Sequence, residues 1–76
     1  MGTPIAIPQL GWEMTEGVLT EWLVEDGATV TLGQPLYILE TDKVENTIEA
    51  PIAGVVSITG APGETYDVGT VIAEIA

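Results

Sequence analysis

Glycine and proline interrupt this chain at short intervals: Pro8, Gly11, Gly17, Gly27, Gly33, Pro35, Pro51, Gly54, Gly60, Pro62, Gly63 and Gly69. Between them lie short runs rich in Val, Ile, Thr and Leu, at 4–7, 18–24, 29–30, 36–40, 44–49, 55–58, 65–66 and 71–75. No interval leaves room for a helix with an apolar stripe, and β-branched runs at this spacing predict an all-β sandwich or barrel. Val44, Asn46 and Ile48 alternate with Glu45, Thr47 and Glu49, the period of a strand with one face to solvent.

The chain also repeats itself. Residues 17–39 align with 54–75 so that Gly17 meets Gly54, Gly27 meets Gly63, Gly33 meets Gly69, Leu36 meets Ile72 and Leu39 meets Ile75. The offset is 37 at the first pair and 36 at the others. Matching glycines predict matching turns, because glycine supplies the positive φ that tight turns need. Two motifs of about four strands each are then expected to pack face to face about an approximate two-fold axis. The segment joining them, 40–49, becomes a hairpin with Thr41-Asp42-Lys43 at its turn and Lys43 on its tip. Asp suits such a turn because its carboxylate accepts bonds from the backbone N–H groups that follow.

The 76 residues allow one domain, too small to enclose a deep pocket. With no Cys and no His there is no disulfide, no thiolate zinc site, no cysteine nucleophile and no imidazole base. Ser57, the only serine, has nothing to activate it. The chain is therefore expected to have no catalytic residues and no metal site; Glu40, Asp42 and Glu45 lack the Asp/Asn-Gly spacing of a calcium loop. Twelve acids against one Lys give a formal charge of −11, which repels nucleic acid and anionic membranes and favours partners with basic surfaces. No apolar run is long enough to span a bilayer, and the N-terminus carries no signal or transit pattern.

Lys43 is the only side-chain amine in the molecule, so any amine modification has one side-chain target. The carboxylates of Glu40, Asp42 and Glu45 favour its protonated form, which suits an acceptor activated by an external enzyme better than a catalytic nucleophile. An ordinary solvated lysine is the competing account.

"ETDKV", followed by "APIAG" and preceded by "LGWEMTEG" and "EWLVEDG", resembles the lipoyl domain of the acyltransferase components of 2-oxo acid dehydrogenase complexes, over about residues 4–76. The resemblance implies a flattened β-barrel or sandwich of two four-stranded antiparallel sheets, and lipoate in amide linkage on Lys43, attached by a lipoate ligase or an octanoyl/lipoyl transferase. It implies a swinging arm that is reductively acylated by a thiamine-diphosphate 2-oxo acid decarboxylase. The arm then delivers its acyl group to an acyltransferase site for transfer to CoA, and a dihydrolipoamide dehydrogenase reoxidises it. On this reading the chain is a non-catalytic, monomeric carrier domain of a longer acyltransferase, in the bacterial cytoplasm or mitochondrial matrix. Acylation would take the formal charge from −11 to −12.

By the same resemblance, Glu40, Asp42 and Val44 flank the lysine for the modifying enzyme, with solvated charge the alternative for the two acids. The loop 9–17, through Gly11, Trp12, Met14 and Glu16, is implied to help the decarboxylase recognise its carrier; Trp12 and Met14 capping the barrel end is the alternative. Trp22 is expected in the core or at a half-buried strand position. "MTEG" looks more like pyruvate- or acetoin-type carriers than 2-oxoglutarate ones. A biotin carrier shares this fold but flanks its lysine with methionines, where Asp42 and Val44 stand here. The glycine-cleavage carrier is longer than this chain. A β-domain that never carries a group would tolerate loss of Lys43.

Overall fold

The computed structural model describes residues 2–10, 14–41 and 44–76. Eight strands follow in order: β1 Thr3–Ala6, β2 Glu16–Trp22, β3 Thr29–Val30, β4 Pro35–Thr41, β5 Val44–Glu49, β6 Gly54–Ile58, β7 Glu64–Asp67 and β8 Val71–Ile75. They build two antiparallel four-stranded sheets, ordered β1-β8-β6-β3 and β5-β4-β2-β7, with no helix among the described residues. The two sheets lie against each other without a shared ladder, so the fold is a sandwich and not a closed barrel.

Exchanging β1–β4 with β5–β8 converts one sheet order into the other. The internal two-fold reaches single bonds: Gly27 N–H donates to Val56 O at 2.7 Å, and Gly63 N–H donates to Leu19 O at 2.6 Å. Gly27 and Gly63 have φ of 88° and 84°, and Gly33 and Gly69 have 83° and 92°. A side chain in that region costs on the order of 1–2 kcal/mol, so these four glycines mark equivalent turns. The first aligned pair differs from expectation. Gly17 and Gly54 lie in strands and not in turns, and what they share is close packing. A Cβ at Gly17 would stand 2.8 Å from Leu39 Cδ1, and one at Gly54 would stand 2.6 Å from Ala76 O.

Both sheets supply the core: Leu19, Val30, Leu36, Tyr37 and Leu39 from one half, and Val56, Ile72, Ala73 and Ile75 from the other. The alternation breaks at Leu36-Tyr37 and Ile72-Ala73, where consecutive residues are buried. Trp22 is half-buried, as expected. Its ring is tilted 57° to that of Tyr37 with centroids 5.1 Å apart, and its Nε1–H donates to Gly60 O at 3.0 Å, which ties β2 to the connection between β6 and β7.

The topology gives the sandwich two distinct ends. Val30 pairs with Gly54, while Val55 and Ala76 exchange backbone bonds at 2.9 Å, so the turn after β3 lies at the end where the chain finishes. From there β4 runs seven residues to Thr41, about 20 Å away. Thr3 pairs with Ile75, so both termini lie at the end remote from Thr41.

Candidate functional site

Three rungs finish the β4–β5 hairpin at its far end: Leu39 opposite Asn46, Glu40 opposite Glu45, and Thr41 opposite Val44. In the sequence only Asp42 and Lys43 separate Thr41 from Val44, and both lie outside the described residues. The expected alternation holds along β5, where Asn46 and Ile48 are half-buried while Glu45, Thr47 and Glu49 are exposed. Val44 departs from it: at 58% exposure it stands beyond the last layer of core.

The outer face of these rungs is acidic. Glu40, half-buried, sits between Val18 on β2 and the like-charged Glu45 on β5. Carboxylates placed directly opposite each other on neighbouring strands repel. The inner face carries an amide where the alternation calls for an apolar side chain. Asn46 Nδ2 lies 3.5 Å from Leu39 O, 3.4 Å from Thr41 Oγ1 and 3.5 Å from Val44 O, so it reaches both strands at the last described rung. Asn46 was legible in the sequence only as one polar position in an inward series, and Thr41 had no signal of its own.

Of the loop residues, Gly11 and Trp12 lie outside the described residues. Met14 is half-buried against the core, its Sδ accepts from Leu10 N–H at 3.3 Å, and its carbonyl accepts from Gln9 Nε2 at 3.2 Å. The space over Gly17 is filled by Met14 and Leu39 together, so Met14 seats on the rung next to the hairpin. Its packing is that of a cap on the core. Glu16 is exposed and pairs with Asp67. It lies two residues beyond Val18, the partner of Glu40. Met14, Glu16, Glu40 and Val44 therefore gather at one end, the end where β4 passes into β5.

A hairpin with a short turn, hung on one end of a two-fold β-sandwich and flanking a lone lysine in sequence, is an arrangement for presenting a modified side chain. The family model for biotin- and lipoyl-bearing domains, described as "Biotin-requiring enzyme", matches residues 3–75.

The chain belongs to the biotin/lipoyl family.

Among its relatives, the dihydrolipoyllysine-residue acetyltransferase component of the pyruvate dehydrogenase complex of Corynebacterium glutamicum is 45% identical over 74 residues, which is 96% of this chain and 11% of that protein. The dihydrolipoyllysine-residue acetyltransferase component of the acetoin cleaving system of Cupriavidus necator is 47% identical over 51 residues, 67% of this chain and 14% of that protein. This biotin/lipoyl chain thus spans a small part of the length of either relative. The solution structure of the lipoyl domain of the 2-oxoglutarate dehydrogenase complex from Azotobacter vinelandii has the same fold, with a TM-score of 0.81 at 24% identity, covering 97% of this chain and 95% of that one.

Proposed function

We propose that this domain is a swinging-arm carrier whose Lys43 holds lipoate in amide linkage. The observation that carries the reading is the hairpin: its last described pair, Thr41 and Val44, flanks the chain's only lysine in sequence. The names of the two relatives above, both dihydrolipoyllysine-residue acetyltransferase components, support lipoate over biotin.

The chain's own composition fits the group. There is no second side-chain amine to misdirect attachment, and no cysteine to trap the sulfurs as a mixed disulfide. Bound lipoate would supply a dithiolane that accepts an acyl group with two electrons and yields them at other sites. The protein's part is to hold out the amine on paired strands, at the end of the sandwich remote from both termini. Val44 belongs to the last described pair of the hairpin and Glu40 lies one rung from it, and both stand close to Asp42 and Lys43 in sequence; with Asp42 they are the residues offered to a lipoate ligase or octanoyl/lipoyl transferase. The exposed Glu16, with Gly11 and Trp12 near it in sequence and Met14 seated beneath as a cap on the core, is the segment offered to a thiamine-diphosphate 2-oxo acid decarboxylase of the pyruvate or acetoin type. An acyltransferase domain and a dihydrolipoamide dehydrogenase would complete the cycle, in a bacterial cytoplasm or mitochondrial matrix. The chain on its own acts as carrier and not as catalyst.

Intact mass after separate incubation with a lipoate ligase plus lipoate and a biotin ligase plus biotin tests this directly. One lipoyl increment is expected, and it should vanish in Lys43→Ala. A biotin increment, or no increment on a folded domain, would overturn the assignment.

A further inference from the structure

We infer that Asn46 is a positioning residue for Lys43: its carboxamide braces the end of the hairpin against the repulsion of Glu40 and Glu45, and so fixes the geometry in which the lysine is presented. The inference rests on the lipoate reading above for its function, but its structural content stands independently of that reading.

The juxtaposition is specific. On the outer face of the middle rung, Glu40 and Glu45 are directly opposed. This is the only rung of the β4–β5 pair with acids on both sides, and it immediately precedes Thr41 and Val44. Such a pair favours splaying of the two strands. On the inner face, one amide group reaches an acceptor on each strand beyond that rung, Thr41 Oγ1 at 3.4 Å and Val44 O at 3.5 Å, and one on the near side of it, Leu39 O at 3.5 Å. An amide has two protons, so the three acceptors share them in bifurcated bonds. Each bond is long, but together they cross-link β4 to β5 on both sides of the repelling pair. A polar group at an inward strand position lowers stability relative to a packed apolar one unless it is bonded. The groups it bonds here are the ones that bracket Asp42 and Lys43.

The consequence for attachment is kinetic. An enzyme that acylates the amine must align it with an activated carboxyl, and a splayed hairpin populates that alignment less often. Losing the brace should therefore act on recognition, and not on the intrinsic reactivity of the amine.

The experiment compares wild type, Asn46→Leu, Thr41→Val, Glu45→Gln and Asn46→Leu/Glu45→Gln as unmodified domains. Asn46→Leu keeps the number and branching of the side-chain heavy atoms, removes the donor and adds apolar bulk, so it is expected to melt at or above the wild-type temperature. Its amide hydrogens on 41 and 44 should nevertheless exchange faster, by about fivefold, the equivalent of one ordinary hydrogen bond. With lipoate ligase, kcat/KM should fall by a similar factor, chiefly through KM, and Thr41→Val should fall less in the same direction. The double variant Asn46→Leu/Glu45→Gln should recover most of both losses, because it removes the repulsion that the brace opposes. A merely structural role for Asn46 would give no such recovery. Unchanged exchange and unchanged kcat/KM in folded Asn46→Leu, or in Thr41→Val should Asn46→Leu fail to fold, would overturn the inference. So would losses that Glu45→Gln fails to repair. Failure of the wild-type domain to accept lipoate would instead sink the functional reading, leaving the exchange data to judge the brace.

Discussion

Tyr37 places a hydroxyl where nothing answers it. The side chain is fully buried, and its oxygen has no hydrogen-bond partner among the described residues. Burial pushes its pKa up from 10.0 to about 12 because the phenolate would lose its hydration. An unpaired buried hydroxyl adds nothing to stability while its loss of hydration opposes folding, so Tyr37→Phe should be neutral or stabilising by up to about 1 kcal/mol. The pH dependence has a definite sign. Below pH 10 the residue is neutral in both states, and its contribution is fully present. Above it the unfolded chain ionises first, so stability falls as pH rises and levels off past the folded value of about 12. The loss is on the order of 2–3 kcal/mol across that window. Urea unfolding of wild type and Tyr37→Phe at matched pH measures it. Two curves that stay parallel from pH 9 to 12 would show that Tyr37 is not the group responsible.

At the scale of elements, the turns carry the internal symmetry. Gly33 and Gly69 have φ of 83° and 92°, and a Cβ at either would meet nothing within 4 Å. Alanine there is strained without being crowded. Gly33→Ala and Gly69→Ala should each cost roughly 1–2 kcal/mol and match each other closely, as judged by thermal melting. A large inequality would show that the two turns are not energetically equivalent. These turns were legible because glycine and proline act locally, and for the same reason β3, β5 and β8 begin and end where the hydrophobic runs do. Other parts of the symmetry were hidden. β1 and β5 are equivalent although few of their side chains match, Ile5 with Ile48 being the one strand pair alike; the match is clearer in backbone bonds, Ile7 N–H to Thr70 O at 2.9 Å and Ala50 N–H to Gln34 O at 2.8 Å. Gly17 was misread because a strand glycine under Leu39 and a turn glycine look alike until the opposite strand is placed. Of the candidate site, the lysine and its acidic neighbours stood out by being rare or clustered. Asn46 did not, because its meaning depends on which acceptors the register brings beside it.

The whole molecule is a small body, 31 × 20 × 20 Å, with a formal charge of −11. Glu16, Glu21, Glu25, Asp26, Glu45, Glu49, Glu64, Asp67 and Glu74 are all exposed, so like charges surround the fold on every side. Self-repulsion of this kind weakens the compact state, and it is screened as the Debye length falls from ~10 Å at 0.1 M salt toward ~3 Å at 1 M. The melting temperature should therefore climb with added NaCl, most steeply at the low end. A flat response would mean that the repulsion is already relieved by site-bound cations or by structure in the unfolded chain. The same charge attracts any basic surface at long range, and high salt would weaken that attraction. One arrangement thus makes stability and encounter respond to ionic strength in opposite directions.

The pairing of Thr3 with Ile75 has a mechanical meaning as well. The two ends of the described chain leave side by side from antiparallel neighbours, so a pull applied through both loads the β1–β8 ladder one rung at a time. Such a seam opens like a zipper and does not resist in shear. Flanking segments joined to those ends would tug at a yielding seam some 20 Å, one strand length, from the hairpin. The paired strands that flank the lysine would stay closed while the opposite end gave way.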